Sequence, residues 1–158
     1  MKWFGNSRHR EEDRLLYVRT EAILNEEGME RFLAGLKSDK SFQQELRGRV
    51  LAYLAGCEQA ASSYRDRRLQ EKAKALVAVL KELKIHTGTH FLVFPRNQTG
   101  SDLRHVLHPD YFILEMTNVS IDEHSFYFKA ESELLRLVEK ASAAYRSFQQ
   151  AARRRKLA

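Results

Sequence analysis

Histidine is concentrated in one stretch of this chain, at spacings that suit metal binding. Five of the six histidines lie between residues 86 and 124, namely His86, His90, His105, His108 and His124. His86 and His90 are four residues apart, and His105 and His108 are three apart. On a helix, side chains at such spacings share one face. Neutral imidazole is a ligand for zinc and other first-row divalent metals. The spacing therefore predicts, as one alternative, a metal site formed by His86, His90, His105 and His108.

A metal held by these imidazoles would make the chain a metal-dependent hydrolase or nuclease. Such catalysis requires three protein ligands, an open position for water and a nearby base. The sequence contains neither a His-Glu-x-x-His motif nor paired cysteines, and a structural role competes with the metal at each histidine. His86, for example, is predicted at a helix C-terminus, where an imidazolium is favoured. The sequence leaves open whether the chain is an enzyme, and its leading interpretation includes no cofactor.

Basic side chains are concentrated in two segments on either side of the histidine-rich stretch. The net charge of the chain is +6, yet residues 1–64 are neutral and residues 85–130 carry −2. Residues 65–84 and 131–158 each contain seven basic and three acidic side chains, a net charge of +4 apiece. Clustered cations attract phosphate groups and other anionic surfaces. The predicted binding residues are Arg65, Arg67, Arg68, Lys72, Lys74, Arg153, Arg154, Arg155 and Lys156.

These basic helices and the basic tail predict a non-enzymatic module that binds other macromolecules. Nucleic acid is the first candidate partner, because phosphate contacts require cations on one surface rather than a particular fold. An acidic protein surface is the second candidate. The sequence has no recognition-helix, zinc-finger or ribonucleoprotein signature of base-specific binding. A further alternative is a structural subunit of a larger assembly, whose long helices pair with a second copy in a homodimer.

The composition is typical of a single globular domain. The 158 residues are 43% hydrophobic and 30% charged, which is ordinary for such a domain. The one cysteine, Cys57, excludes an internal disulfide and falls on the apolar face of a predicted helix. No apolar run approaches the roughly 18 residues of a membrane span, and the start lacks the apolar stretch of a signal peptide. The sequence therefore predicts a cytoplasmic protein without a transmembrane segment.

Apolar residues recur at helical spacing on both sides of the histidine-rich stretch. A first helix is predicted from a cap at Ser7 to a stop at Gly28, and a short second helix over 29–36. The capping-box spacing at Ser41 predicts that the next helix opens there. The stripes of residues 41–85 do not join in phase, which leaves one kinked helix or two helices as alternatives.

The last helix has the clearest apolar face, which includes Leu137. We predict that this face is buried against the stripe that runs from Phe42 to Tyr64. The residues of the face are Leu134, Leu137, Val138, Ala141, Tyr145 and Phe148. Cations at 153–156 are well placed at the negative end of this helix.

Short apolar or alternating runs predict strands between the helical parts. These runs are 91–94, 111–114 and 119–129, the last of which is divided by a predicted hairpin turn at 122–124. One or two helical turns are expected over 101–107. The predicted fold class is thus α+β, predominantly helical, with about five amphipathic helices and a small three-stranded antiparallel sheet. The chain is predicted to be one domain, 1–158. Within it, 1–85 are the helical part, 86–130 the sheet and loops, and 131–158 the final helix with its basic tail.

Overall fold

The computed structural model describes residues 3–94, 103–109 and 124–158, with side chains described over 5–94, 103–109 and 126–158. These residues form a predominantly helical α+β fold with five helices and a small three-stranded antiparallel sheet, which confirms the predicted fold class. The helices are α1 (Trp3–Ile23), α2 (Glu26–Ser38), α3 (Gln44–Ala61), α4 (Arg67–His90) and α5 (His124–Arg154). Of the predicted strands, 111–114 and the start of 119–129 lie outside the described residues.

The boundary between α1 and α2 is set by Asn25 rather than by Gly28. Asn25 is the N-cap of α2, and its side-chain oxygen accepts a hydrogen bond of 2.9 Å from the backbone N–H of Gly28. The prediction that Gly28 ends a helix was therefore wrong, because this residue lies in the first turn of α2. It is a glycine for reasons of space, since a Cβ there would lie 2.4 Å from Cδ1 of Leu24.

The two helices α3 and α4 span residues 44–90 and are joined by a tight turn, which resolves the alternative that the sequence left open for 41–85. The α3 helix ends at Ala61, and the side chain of Asp66 caps α4 by accepting the backbone N–H of Leu69 at 2.8 Å. Tyr64 is buried within the turn.

The sheet consists of β1 (Ser41–Gln43), β2 (Phe91–Phe94) and β3 (Arg104–Leu107), in the order β1-β3-β2. Both pairings are antiparallel, and His105 in the central strand lies opposite Phe42 on one side and Val93 on the other. Only the strand at 91–94 was predicted. The expected helix start at Ser41 and the helical turns over 101–107 were wrong, because these segments pair with each other across about 60 residues and that pairing overrides the local helical signals.

The segment Ser125-Phe-Tyr-Phe-Lys129, predicted as a strand, belongs to the first turns of α5. Its alternation of aromatic and polar residues suggested a sheet, yet only Tyr127 of its aromatic side chains is buried, while Phe126 and Phe128 are exposed. Tyr127, Ala130 and Leu134 are buried at helical spacing. Buried side chains three to four residues apart are typical of a helix and not of a strand, so this segment is helical.

The apolar face of α5 is buried as predicted, but its main partners differ from the prediction. It packs most extensively against α4 and next against α2. It meets the stripe of α3 and the following turn through two ring contacts, Tyr53–Tyr145 at 6.5 Å and Tyr64–Phe148 at 6.2 Å between centroids. The core therefore lies between α5 and the other helices.

The end of α5 is a Schellman motif that anchors the basic tail. Lys156 has a left-handed backbone with φ of 58°, and its N–H donates to the carbonyl of Arg153 at 2.9 Å. The N–H of Leu157 donates to the carbonyl of Ala152 at 3.0 Å, and the Leu157 side chain is buried. This pair of bonds, with its apolar contact, is the usual ending of such a helix.

Candidate functional site

A fully buried carboxylate joins three elements at one end of the molecule. Asp13 of α1 has no exposed surface, and its two oxygens accept the backbone N–H groups of Arg65 at 2.6 Å and Asp66 at 3.1 Å. Nε of Arg155, just beyond α5, lies 3.9 Å from Asp13 Oδ2 and 3.6 Å from Asp66 Oδ2. The turn between α3 and α4 and the basic tail are therefore held against the same part of α1.

A cleft of about 350 Å³ lies at this end, and we call it the basic cleft. Its lining residues are Asn6, Ser7, Arg10, Arg154, Arg155 and Lys156. Arg10, Arg154 and Lys156 are exposed and have no ion-pair partner among the described residues. Three cations without an ion-pair partner among the described residues thus surround one opening. Arg155 beside them lies near two carboxylates, those of Asp13 and Asp66.

The predicted binding residues divide into three groups in the structure. Arg154, Arg155 and Lys156 line the basic cleft. A second group is in surface ion pairs, namely Arg65 with Glu12, Arg67 with Glu71 and Arg153 with Glu26, at 3.0, 3.1 and 2.9 Å; the backbone of Arg65 is also bound to Asp13. Such pairs cancel charge locally, so these residues have less to offer an anion.

The remaining predicted cations lie on α4. Arg68 and Lys74 are exposed and Lys72 is half-buried, and none of the three is in an ion pair within the described part of the chain. Lys74 lies about 10 Å along the helix axis from the start of α4, given a rise of about 1.5 Å per residue. The tail and the beginning of α4 therefore share one end of the molecule, while Lys72 and Lys74 extend away from it.

Sequence reasoning missed Arg10 and the two polar residues beside it. The first helix carries balanced charge, so nothing in its local sequence distinguishes Arg10 from its neighbours. Only the packing of α5 across α1 brings it to the tail. The N-terminus of α1, with the positive end of its helix dipole, also lies at this end.

A second candidate site is a group of three imidazoles, His86, His90 and His108, which we call the histidine cluster. The rings of His86 and His90 have centroids 4.6 Å apart, and those of His90 and His108 are 5.0 Å apart. His90 Nδ1 lies 2.8 Å from His108 Nε2, so the two rings share a direct hydrogen bond. The cluster joins the end of α4 to the residue after β3.

His86 is the buried member of the cluster. Its Nε2 is 2.9 Å from the carbonyl oxygen of Ala130, and burial lowers the pKa of the ring below its ordinary value of 6.5. Burial and the neighbouring His90 likewise lower the pKa of His108. These imidazoles therefore favour the neutral form, which is the form with a free lone pair.

The other two histidines of the stretch are separate from the cluster or undescribed. His105 stacks on Phe42 at 5.0 Å with nearly parallel rings, and its Nε2 is hydrogen-bonded to Oε1 of Gln44. The side chain of His124 lies outside the described residues. Across the described part of the chain, no group of three or more His, Cys, Asp or Glu side chains is placed so that it could hold a metal ion.

A scan against models of known families, a search of curated proteins and a search of solved structures each found no significant match to this chain. None of the helices in the described residues combines the length and the hydropathy needed to span a bilayer.

Proposed function

We propose that this chain is a non-enzymatic module that binds nucleic acid through the basic cleft. The observation that supports it is the meeting of Arg10, Arg154 and Lys156 around one opening, each without a carboxylate partner among the described residues. Unpaired cations on one surface are the electrostatic requirement for phosphate binding. An acidic protein surface meets the same requirement and is the competing partner.

The backbone context adds to the attraction for phosphate. Asn6 and Ser7 line the cleft near the start of α1, where the positive end of the helix dipole favours an anion. Arg68, which is exposed and has no ion-pair partner among the described residues, follows the capped start of α4 at the same end. The surface therefore extends beyond the cleft, which suits a polymer of phosphates better than a single ion.

The test is the salt dependence of binding to a labelled oligonucleotide. Fluorescence anisotropy would be measured for single-stranded and duplex DNA over a range of salt concentrations. Trp3 is the only tryptophan of the chain, so its emission is a second readout. Counterion release predicts a linear fall of log K with log salt, with a slope of about −0.9 per phosphate for duplex and about −0.7 for single strands.

The matched variants separate the cleft from net charge. The triple substitution Arg10→Gln, Arg154→Gln and Lys156→Gln should lower affinity and reduce the magnitude of the slope by about 2 to 3. The control replaces three exposed cations elsewhere, Lys37, Arg49 and Lys84, by Gln and removes the same charge. Equal loss in both triples, or absence of binding at low salt, contradicts the proposal. Binding of an acidic polypeptide but not of DNA would assign the cleft to a protein partner.

A further inference from the structure

A second cleft, of about 390 Å³, lies between α2, the outer part of the sheet and the start of α3, and we call it the sheet cleft. Charged and apolar side chains both line it, among them Arg104, Asp39, Ala34 and Leu46. Sites for small molecules are concave, measure about 300–1,000 Å³ and combine an apolar lining with a few polar groups. The sheet cleft has this size and this mixture of side chains.

Arg104 is held in the sheet cleft by a buried serine. It lies in the central strand β3, and its Nε and Nη2 donate to Oγ of Ser41 at 3.2 and 2.8 Å. Ser41 is only 4% exposed, so the position of its hydroxyl is set by the fold. The guanidinium of Arg104 is therefore oriented before any ligand arrives, and such a planar group matches the geometry of a carboxylate.

The charge of Arg104 is not compensated within the described part of the chain. The side chain is half-buried, has no carboxylate partner there, and its Nη1 makes no hydrogen bond with the described residues. The other arginine of the cleft, Arg31, is already paired with Glu27 at 3.0 Å. Partly buried charges are costly unless they are paired. Arg104 is thus the group of this cleft that a ligand carboxylate would neutralise.

Asp39 brings the opposite charge to the same cleft. It is the C-cap of α2, where its backbone N–H donates to the carbonyl of Gly35 at 2.9 Å. Its side chain is exposed and forms no ion pair with Arg104 or with any other described residue. The C-terminal end of a helix carries a partial negative charge that adds to that of the carboxylate. This part of the cleft therefore favours a cation.

The two charges are carried by elements in direct contact. Gly35 lies against β1, since a Cβ there would be 3.0 Å from the backbone oxygen of Ser41. The end of α2 that bears Asp39 is thus packed on the strand whose serine orients Arg104. Both charged groups have a fixed backbone on either side of one opening, yet they do not pair with each other.

We propose that the sheet cleft binds a small zwitterion of the α-amino acid class. The ligand carboxylate accepts hydrogen bonds from the guanidinium of Arg104, and its ammonium group lies beside the carboxylate of Asp39. Its side chain contacts the apolar lining at Ala34 and Leu46. A molecule with both charges neutralises two groups that do not reach each other, which a simple anion or a polymer of phosphates cannot do.

The test is amino acid binding by the full chain. Thermal unfolding would be followed with each of the standard L-amino acids, because a ligand of the folded state raises the melting temperature. Calorimetric titration of the tightest ligand should give one site per chain. Its analogues that lack either the amino or the carboxyl group should bind at least about tenfold more weakly, since hydrogen bonds to charged groups contribute at this level. Absence of binding across the panel overturns the proposal, and so does equal binding of the analogue without the amino group.

Variants at the two charges locate the ligand. Arg104→Gln and Asp39→Asn should each weaken affinity by more than about tenfold. Arg49→Gln and Glu139→Gln, at exposed positions outside the cleft lining, remove the same charges and should leave affinity unchanged. Equal losses in the controls contradict the assignment of the site, as does an unchanged affinity in Asp39→Asn.

NMR of the unaltered chain covers the case in which Arg104→Gln does not fold. The Nε–H signal of Arg104 should shift with added amino acid, while that of Arg49 should not, and the reverse result overturns the proposal. The triple substitution in the basic cleft should leave amino acid affinity unchanged. Failure of one site therefore says nothing against the other.

Discussion

The hydroxyl of Tyr17 on α1 donates a hydrogen bond to the side-chain oxygen of Gln149 on α5, and both side chains are buried. The amide nitrogen of Gln149 in turn donates to Oε1 of Glu21 at 3.0 Å. One side-chain amide therefore connects the two helices that carry the basic cleft. The amide oxygen of Gln149 accepts from a hydroxyl and its amide nitrogen donates to a carboxylate, so both ends of the side chain are satisfied. Gln149 therefore holds α5 in place against α1.

We expect the charged form of Glu21 to lower the stability of the folded chain, and therefore to do so more at pH 7 than at low pH. Burial raises the pKa of its carboxyl above the ordinary value of 4.5, and the hydrogen bond from Gln149 only partly opposes this. A carboxyl whose pKa is higher in the folded than in the unfolded chain favours folding while it is protonated. Its contribution to the free energy of unfolding is complete below the unfolded-state pKa and is lost as the pH rises through the folded-state pKa. Glu21→Gln should therefore raise the free energy of unfolding at pH 7, and the gain should shrink towards pH 4.

Urea unfolding at the two pH values measures this effect. Glu139→Gln, on the exposed surface of α5, is the control and should change stability little at either pH. Destabilisation by Glu21→Gln at pH 7 would show that the charge itself is needed for the contact with Gln149.

Asp13 is expected to be the most sensitive polar residue of the fold. Asp13→Ala leaves the backbone N–H groups of Arg65 and Asp66 without their acceptor and removes one of the two carboxylates near Arg155. Hydrogen bonds to charged groups contribute about 1.5–3 kcal/mol each. The loss in free energy of unfolding should be about 3 kcal/mol or more. Glu12→Ala removes a neighbouring, partly exposed ion pair with Arg65 and should change the free energy of unfolding far less, because solvent screens exposed pairs. Similar losses in both variants would refute the role of Asp13.

Leu137 tests the packing of α5. It is 2% exposed, and Leu137→Ala should cost about 2–5 kcal/mol, because it removes methyl groups from a packed core. Leu15 on α1 is 54% exposed, so Leu15→Ala should change the free energy of unfolding by less than about 0.5 kcal/mol. Chemical denaturation of the two variants compares them directly.

Cys57 should be unreactive in the folded chain. Burial raises the pKa of its thiol to about 12, and the nucleophile in thiol reactions is the thiolate. A disulfide reagent at pH 8 should therefore label Cys57 only after denaturant is added. Rapid labelling of the native protein would mean that α3 opens easily at this position.

The helices were predictable because their signal is local. The face of α5 around Leu137 repeats every three to four residues, and the break at Asp66 carries its own capping residue. The strands β1 and β3 were not predictable in this way. They are held by hydrogen bonds between residues that are distant in the sequence. For example, the N–H of Leu107 donates to the carbonyl of Lys40, a residue with a left-handed backbone of φ 49°.

The candidate sites divide along the same line. The run Arg154, Arg155 and Lys156 was evident because the cations are adjacent in sequence. Arg10 joins them only through the tertiary contact of α1 with α5. For the histidines, the spacing of His105 and His108 suggested one shared helical face. In fact His105 lies within a strand and His108 just after it, which sends their rings to different neighbours.

Because α5 ends in a Schellman motif, the backbone of the basic residues at its end becomes ordered when the chain folds and not when a ligand binds. A loose tail would have to be ordered by its ligand, at a cost of conformational entropy for every residue fixed. Here burial of Leu157 fixes the backbone of residues 154–156 as part of folding itself. An anion that enters the cleft therefore meets a preorganised surface, and only the side chains remain to be immobilised.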